Sequence, residues 1–147
     1  MNKVSKNVEV NQFSMKIGYA IILMMQNNKY SLFHIATIKY WTAQAILLDQ
    51  IEFYFDASGS PIGYFTWAFL ACDVEKRLLH DNNTFFLHPS EWNEGESIWI
   101  LDICFPKGVS LNLKNEIIKK FSQSHHNIKW LGRKKNISRR RVFEISF

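Results

Sequence analysis

Apolar and polar residues follow one another along this chain in blocks whose period changes several times. A polar start, residues 1–16, is expected to be loosely ordered, and the apolar run 17–25 behind it predicts a short helix that Asn27-Asn28 ends. Ser31 then offers a hydroxyl in N-cap position, and apolar residues recur at 35, 38, 41, 45 and 48. That spacing predicts a helix to about Leu48 with His34 in its first turn. The period shortens at Ile51-Glu52-Phe53-Tyr54-Phe55, followed by the turn-rich Asp56-Ala57-Ser58-Gly59-Ser60-Pro61 and by Ile62-Gly63-Tyr64-Phe65-Thr66-Trp67-Ala68, a pattern that predicts a β-hairpin. Residues 73–80 read as a polar helical connection. The turn Asp81-Asn82-Asn83, a short apolar stretch at 84–87 and a loop opened by His88-Pro89 come next.

The next block, Ile98-Trp99-Ile100-Leu101-Asp102-Ile103-Cys104-Phe105, is closed by Pro106 and Gly108. A run this short and this rich in Ile and aromatics reads as a strand buried on both faces. Apolar residues at 111, 113, 117, 118 and 121, with lysines between them, predict an amphipathic helix, and 128–131 and 142–147 are candidate closing strands. Helices and strands in this order, with an antiparallel start, predict one α+β domain over residues 1–147, built on a mixed, largely antiparallel sheet flanked by helices.

Composition narrows the class. A chain of 147 residues with 47% hydrophobic residues and twelve Phe is long enough to bury roughly two-thirds of its unfolded surface in one core. No apolar stretch approaches the roughly 18 residues of a membrane span, and residues 17–25 lack the flanks of a signal peptide, so a cytoplasmic location without a transmembrane segment is expected. Cys72 and Cys104, both in apolar surroundings, read as reduced core thiols rather than a disulfide or metal pair. The formal charge is +5, and the segment 132–147 holds Arg133-Lys134-Lys135 and Arg139-Arg140-Arg141. Such a tail is most simply a solvated face; it also suits an acidic protein partner, and nucleic acid is not expected as the partner.

Asp102 is the residue in most need of explanation. An unpaired charge inside an apolar strand costs several kcal/mol, so this carboxylate requires a partner. Backbone N–H groups or an arginine would satisfy it; so would a histidine that it orients and charges for catalysis. Among the histidines, His34 stands at a predicted helix start, His80 and His88 lie in polar connections, and His125-His126 are too close in sequence to ligate one metal from a helix, so no metal site is predicted. Tyr64 and Trp67 on the hairpin strand read either as core or as the lining of an apolar channel, and Gly63 as a bulge or a place where a ligand comes close.

Three blocks resemble a known family. Ser31-Leu32-Phe33-His34, with Trp41 downstream and an apolar helix from Gly18 upstream, is similar to the Ser-Pro-Leu-His block of the lysine acyltransferases that activate RTX toxins. Pro61-Ile62-Gly63-Tyr64-Phe65-Thr66-Trp67-Ala68 is similar to that family's Pro-Val-Ala-Tyr-Cys-Ser-Trp-Ala strand. Trp92, Gly95, Trp99 and Asp102, followed by Pro106 and Gly108, keep the family's spacing, and the three blocks stand in the family's order over about residues 17–120.

The resemblance implies a fold like that of the GNAT acetyltransferases, with His34 and Asp102 as the catalytic pair and Gly63, Tyr64 and Trp67 as substrate-binding candidates. It implies transfer of an acyl group from acyl carrier protein to a lysine side chain of a protein toxin. In that chemistry His34 is the general base and Asp102 its partner, and no cofactor is needed beyond the acyl carrier co-substrate. A second reading comes from microcin-maturation relatives, which attach a glycosylated siderophore to the C-terminal carboxylate of a bacteriocin peptide together with a partner protein. The departures at Phe33, in the longer Gly18-to-His34 interval and in the short C-terminal segment keep that reading open. A homodimer and a heteromeric partner subunit suit the aromatic composition equally.

Overall fold

The computed structural model describes residues 3–30, 34–80, 85–123, 127–132 and 141–146, with side chains throughout except at 3–10 and 141. Five strands, β1 (Ile51–Phe55), β2 (Pro61–Leu70), β3 (Ser97–Cys104), β4 (Asn127–Gly132) and β5 (Arg141–Ser146), are hydrogen-bonded in that order. β1 with β2 and β4 with β5 are antiparallel, whereas β3 and β4 run parallel. Helices α1 (Lys3–Met25), α2 (Ile35–Thr37), α3 (Ala43–Leu47), α4 (Cys72–His80) and α5 (Leu111–Ser122) complete the α+β fold, with a π-helical turn at Ile38–Thr42 and a 3-10 turn at Pro89–Trp92. The chain divides into two compact units. The first holds residues 1–66 and 103–107; the second holds 67–102 and 108–147.

In the first unit the helix expected over 17–25 is the C-terminal part of the longer α1. The hairpin forms as the alternation predicts, and its turn is locked by Asp56, whose carboxylate accepts the Ser58 and Ser60 N–H groups at 2.9 and 3.0 Å while Gly59 takes φ +82°. The strand register slips between Tyr54 and Phe55, skipping Ile62. That bulge sits beside Gly63, where an added Cβ would lie 1.9 Å from the Phe105 ring. Gly63 therefore lies next to a bulge, and the group that comes close to it is an aromatic side chain of the same chain. Tyr54 packs on Phe65 and Phe105, and the Tyr30 hydroxyl donates to the Ile103 carbonyl at 3.3 Å.

The second predicted helix is the element that departs furthest from its pattern. α2, the π-helical turn and α3 follow without a break, but the buried residues are Thr42, Ala45 and Ile46, while Ile35 is 84% exposed. A π-turn closes i→i+5 bonds and so inserts one residue, which rotates everything after it away from a 3.6-residue stripe. His34 is the N-cap of α2 rather than a residue of its first turn, and Ser31, expected as that cap, lies outside the described residues.

α4 and α5 carry the second unit. Ser110 caps α5 by accepting the Leu113 N–H at 3.2 Å, and Ile117 and Phe121 are its buried stripe. Phe121 meets the Trp67 ring edge-on at 5.4 Å, with the Lys120 ammonium 4.9 Å from the same ring. α4 is anchored by two carboxylate contacts. Arg77 forks onto both oxygens of Glu91 at 2.9 and 2.6 Å, and Glu91 also accepts the His88 N–H. Glu75 accepts the Trp99 indole N–H at 2.6 Å and the Lys129 ammonium at 3.0 Å, and Lys129 also reaches Ser97 at 3.4 Å. Cys104 is buried, but Cys72 is exposed because it is the first residue of α4, where no neighbour covers it.

Burial resists ionisation of Glu75. The hydrogen bonds from Trp99, Lys129 and Ser97, with the Lys129 charge, outweigh it and hold the carboxyl below the usual glutamate range. A folded-state pKa below the unfolded one contributes stability above the ordinary glutamate range, and that stability is lost as pH falls through the folded value. Glu75→Gln is thus expected to destabilise the protein by about 1–3 kcal/mol in urea unfolding at neutral pH, with the difference from wild type shrinking below about pH 4.3. An equal difference at pH 7 and pH 3 contradicts the ionised network. Gly95 sits so close to β2 that a Cβ would lie 1.9 Å from the Leu70 carbonyl oxygen. Gly95→Ala is expected to lower Tm by roughly 5 °C or more, because backbone, unlike a side-chain end, cannot swing away; an unchanged Tm rules out this contact.

Candidate active site

His34 belongs to the first unit, at the junction between the segment after α1 and the start of α2. Its backbone is extended (φ −79°, ψ 154°), its carbonyl accepts the Thr37 N–H at 2.9 Å, and its ring makes no capping bond. The side chain is exposed, as are the apolar Ile35 and Tyr40 that follow it. The imidazole therefore stands at the surface, close in sequence to a π-helical turn, a distortion that helices adopt frequently at functional sites.

Asp102 belongs to the second unit and is 8% exposed on β3. Alternation places Ile98, Ile100, Asp102 and Cys104 on one pleat face, and all four are buried. On the other face burial fades from Trp99 through half-buried Leu101 to Ile103, which is 37% exposed. The strand is thus closed along one side only, and Asp102 lies on the closed side. It is not left without a partner there, as the cost of an isolated buried charge demands.

The remaining sequence-derived site residues are packed. Tyr64 is fully buried with its ring 5.6 Å from Phe53, in the first unit. Trp67, 7% exposed, is held between Phe121 and Lys120 in the second. Phe105 fills the space above Gly63. Tyr64 and Gly63 share a unit with His34, and Trp67 shares one with Asp102.

The spaced set Trp92, Gly95, Trp99 and Asp102 acquires a physical reason at each position. Trp92 is fully buried at the end of the 3-10 turn. Asn93 forms an isolated parallel bridge with Phe69, and the Gly95 N–H donates to the Phe69 carbonyl at 3.0 Å, so the chain lies against the end of β2 where only glycine fits. Four residues on, Trp99 turns its indole N–H to Glu75. The set therefore delivers β3, and with it Asp102, from a fixed starting point. Glu75, Lys129 and Ser97 were not legible as one group, because they lie 22 to 54 residues apart with no shared motif. Nor did any local signal announce the π-turn after His34.

His88 is occupied in capping, its Nδ1 lying 3.3 Å from the Ser90 N–H and its backbone bonded to Glu91, and the His80 ring bonds the Lys76 carbonyl. His125 and His126 lie outside the described residues, as does most of the basic tail. Among the described residues no helix is long and apolar enough to cross a membrane.

Comparison with known proteins fits this arrangement to a family. Residues 8–146 match the model of the RTX toxin acyltransferase family. The chain is 24% identical over 128 residues to the lysine-acyltransferase RtxC of Vibrio cholerae, covering 87% of this chain and 79% of that protein. It is 31% identical over 116 residues to the uncharacterized protein sll0720 of Synechocystis sp., covering 75% and 78% respectively. Over 77 residues it is 38% identical to the RTX-II toxin-activating lysine-acyltransferase ApxIIC of Actinobacillus pleuropneumoniae, which covers 52% of this chain and 46% of that one. With the match running through His34, the β2 block and Asp102, the chain belongs to the RTX toxin acyltransferase family and is an acyltransferase.

Proposed function

We propose that this protein moves an acyl group from acyl carrier protein to the side-chain amine of a lysine in a protein toxin, with His34 as general base and Asp102 as its partner. The observation that carries the proposal is the exposed imidazole of His34, at a helix start inside the matched region, where a bulky protein substrate can reach it. A lysine amine is protonated at neutral pH and is no nucleophile until it loses a proton. His34 takes that proton and releases it to water, and the freed amine attacks the thioester carbonyl. As the C–S bond of the tetrahedral intermediate breaks, His34 takes a second proton from the attacking nitrogen and passes it to the departing thiolate. The products are an amide on lysine, a carrier with a free thiol and one proton released to water, so atoms and protons balance without a cofactor.

Asp102 suits the second role because a buried carboxylate keeps its charge out of water, where it acts most strongly on an imidazolium. The net charge of +5 favours encounter with an acidic carrier, and the burial of Gly63, Tyr64 and Trp67 makes them supports of the strand in this conformation. The reading carries a cytoplasmic setting with it, since both acyl carrier protein and an unexported toxin are found there.

Purified His34→Ala and Asp102→Asn are expected to reduce lysine modification of a co-incubated toxin by about 100-fold or more, the range for loss of a positioned base. His34→Ala is expected to melt within roughly 2 °C of wild type, because its side chain is exposed. Folded variants that modify the target at the wild-type rate overturn the assignment. Peptide mass spectrometry of the target fixes the acceptor: an added mass on a lysine supports the proposal, and one on a C-terminal carboxylate moves the protein to the microcin-maturation chemistry.

A further inference from the structure

The turn that follows α1 in the first unit is closed by short-range bonds. The Asn27 N–H donates to the Met24 carbonyl at 3.0 Å, the Asn27 carbonyl accepts the Tyr30 N–H at 2.9 Å, and the Asn27 side-chain oxygen accepts the Lys29 N–H at 3.1 Å. An Asn side chain bonded to the backbone two residues on holds such a turn, and it fixes the backbone from which the Tyr30 ring projects. Tyr30 is 3% exposed, and its hydroxyl donates at 3.3 Å to the carbonyl of Ile103, 73 residues away in sequence.

Lys29 strengthens that bond. Its ammonium donates to the same phenol oxygen at 2.7 Å and lies 4.3 Å from the ring centroid. A phenol has one proton to give, and a charge-assisted bond onto its oxygen polarises that O–H. Ammonium, hydroxyl and carbonyl thus form a chain of two bonds that ends on β3. Its end point is telling. Ile103 follows Asp102 in the chain, and β4 pairs with β3 at Ile98, Trp99 and Ile100, so Asp102 and Ile103 both lie past that ladder. The bond from Tyr30 holds the strand where that ladder does not. At its other end, Tyr30 precedes His34 by four residues, a stretch that reaches at most about 14 Å. One hydrogen bond therefore ties the segment leading into His34 to the residue beside Asp102.

We propose that Tyr30 is a positioning residue of the acyl transfer: through Ile103 it sets the direction of the Asp102 carboxylate, and Lys29 strengthens the bond by which it does so. The inference rests on the acyl-transfer reading above and adds to it two residues that act through Asp102. A carboxylate that has lost its direction still leaves the donor bound, so the effect falls on turnover rather than on donor affinity. It also vanishes once Asp102 no longer carries the charge, whereas a hydroxyl that merely supports the fold costs the same in either background.

Full-length Tyr30→Phe keeps the ring and removes the hydroxyl. With palmitoyl-loaded acyl carrier protein as donor and a co-incubated toxin as acceptor, its kcat is expected to fall about tenfold, with KM for the donor within about twofold of wild type. Added to Asp102→Asn, the same change is expected to cost less than about twofold more. Lys29→Met, at an exposed position, is expected to lose about threefold in the same pattern and decides the test by the same criteria if Tyr30→Phe does not fold. An unchanged kcat, a loss confined to KM, or a loss that persists in full beside Asp102→Asn overturns the proposal. The NMR resonances of the His34 ring, assigned by their absence from His34→Ala, separate the two readings without turnover. If the wild type transfers nothing, the acyl-transfer reading fails and these resonances decide the positioning alone. A shift caused by Tyr30→Phe that disappears in the Asp102→Asn background supports it; no shift, or an equal shift in both backgrounds, overturns it.

Discussion

One carboxylate holds the layers of the second unit together. Glu75 stands on α4 but bonds to Trp99 of β3 and to Lys129 of β4, two residues that are register partners in the parallel pair. The Lys129 ammonium also lies 5.8 Å from the Trp99 ring, so indole, ammonium and carboxylate satisfy one another in a space where each alone is expensive to bury. Parallel strands cannot be joined by a tight turn and need a crossover, here α5, so their alignment depends on what fixes them sideways. Glu75 does that at one point for three elements, and α4 cannot slide along the sheet without breaking both bonds.

The consequence reaches Asp102 through the pleat. Trp99 and Asp102 point to opposite sides of β3, so holding the Trp99 side by an ionic contact leaves the other side free to be closed by Ile98, Ile100 and Cys104. A charge placed on that closed face keeps its position because the backbone beneath it is held from both directions: by Gly95 against β2 at the strand's beginning and by Glu75 behind it. A carboxylate that orients another group does so through a hydrogen bond, whose strength depends on direction as well as distance, so a fixed backbone beneath it matters.

How far the chain was legible from its residues depended on the range of the interaction concerned. The hairpin was readable because alternation and the Asp56-Ser58-Gly59 turn are local, and α5 because its apolar residues from Leu111 to Phe121 recur within one short helix. α1 was underestimated: the polar residues before 17 break the apolar run without breaking the helix, which tolerates polar side chains wherever they face water. The helix after His34 was foreseen while its face was not, because an inserted π-turn leaves no trace in hydropathy and shifts burial to Thr42, Ala45 and Ile46. Glycines 63 and 95 were visible as glycines, yet the groups that exclude a Cβ, the Phe105 ring and the Leu70 carbonyl, come from strands distant in sequence. His34 and Asp102 stood out by residue type and spacing. The network that steadies β3 did not, because Glu75 and Lys129 look on paper like ordinary surface charges.

For His34 acting as the base proposed above, exposure poses a chemical problem of its own. Water at a surface imidazole competes with the lysine for an activated thioester, and it weakens every charge interaction on which proton transfer relies. The apolar side chain of Ile35, the next residue and 84% exposed, offers one way to suppress that competition: a substrate laid over it would remove water from the imidazole's surroundings in the same event that delivers the reacting groups. On this account the low-dielectric environment is completed by the protein substrates and is absent from the enzyme alone. Under the proposed acyl transfer, free thioester would then be protected from hydrolysis until the acceptor arrives, and the exposure of His34 would couple chemistry to recognition.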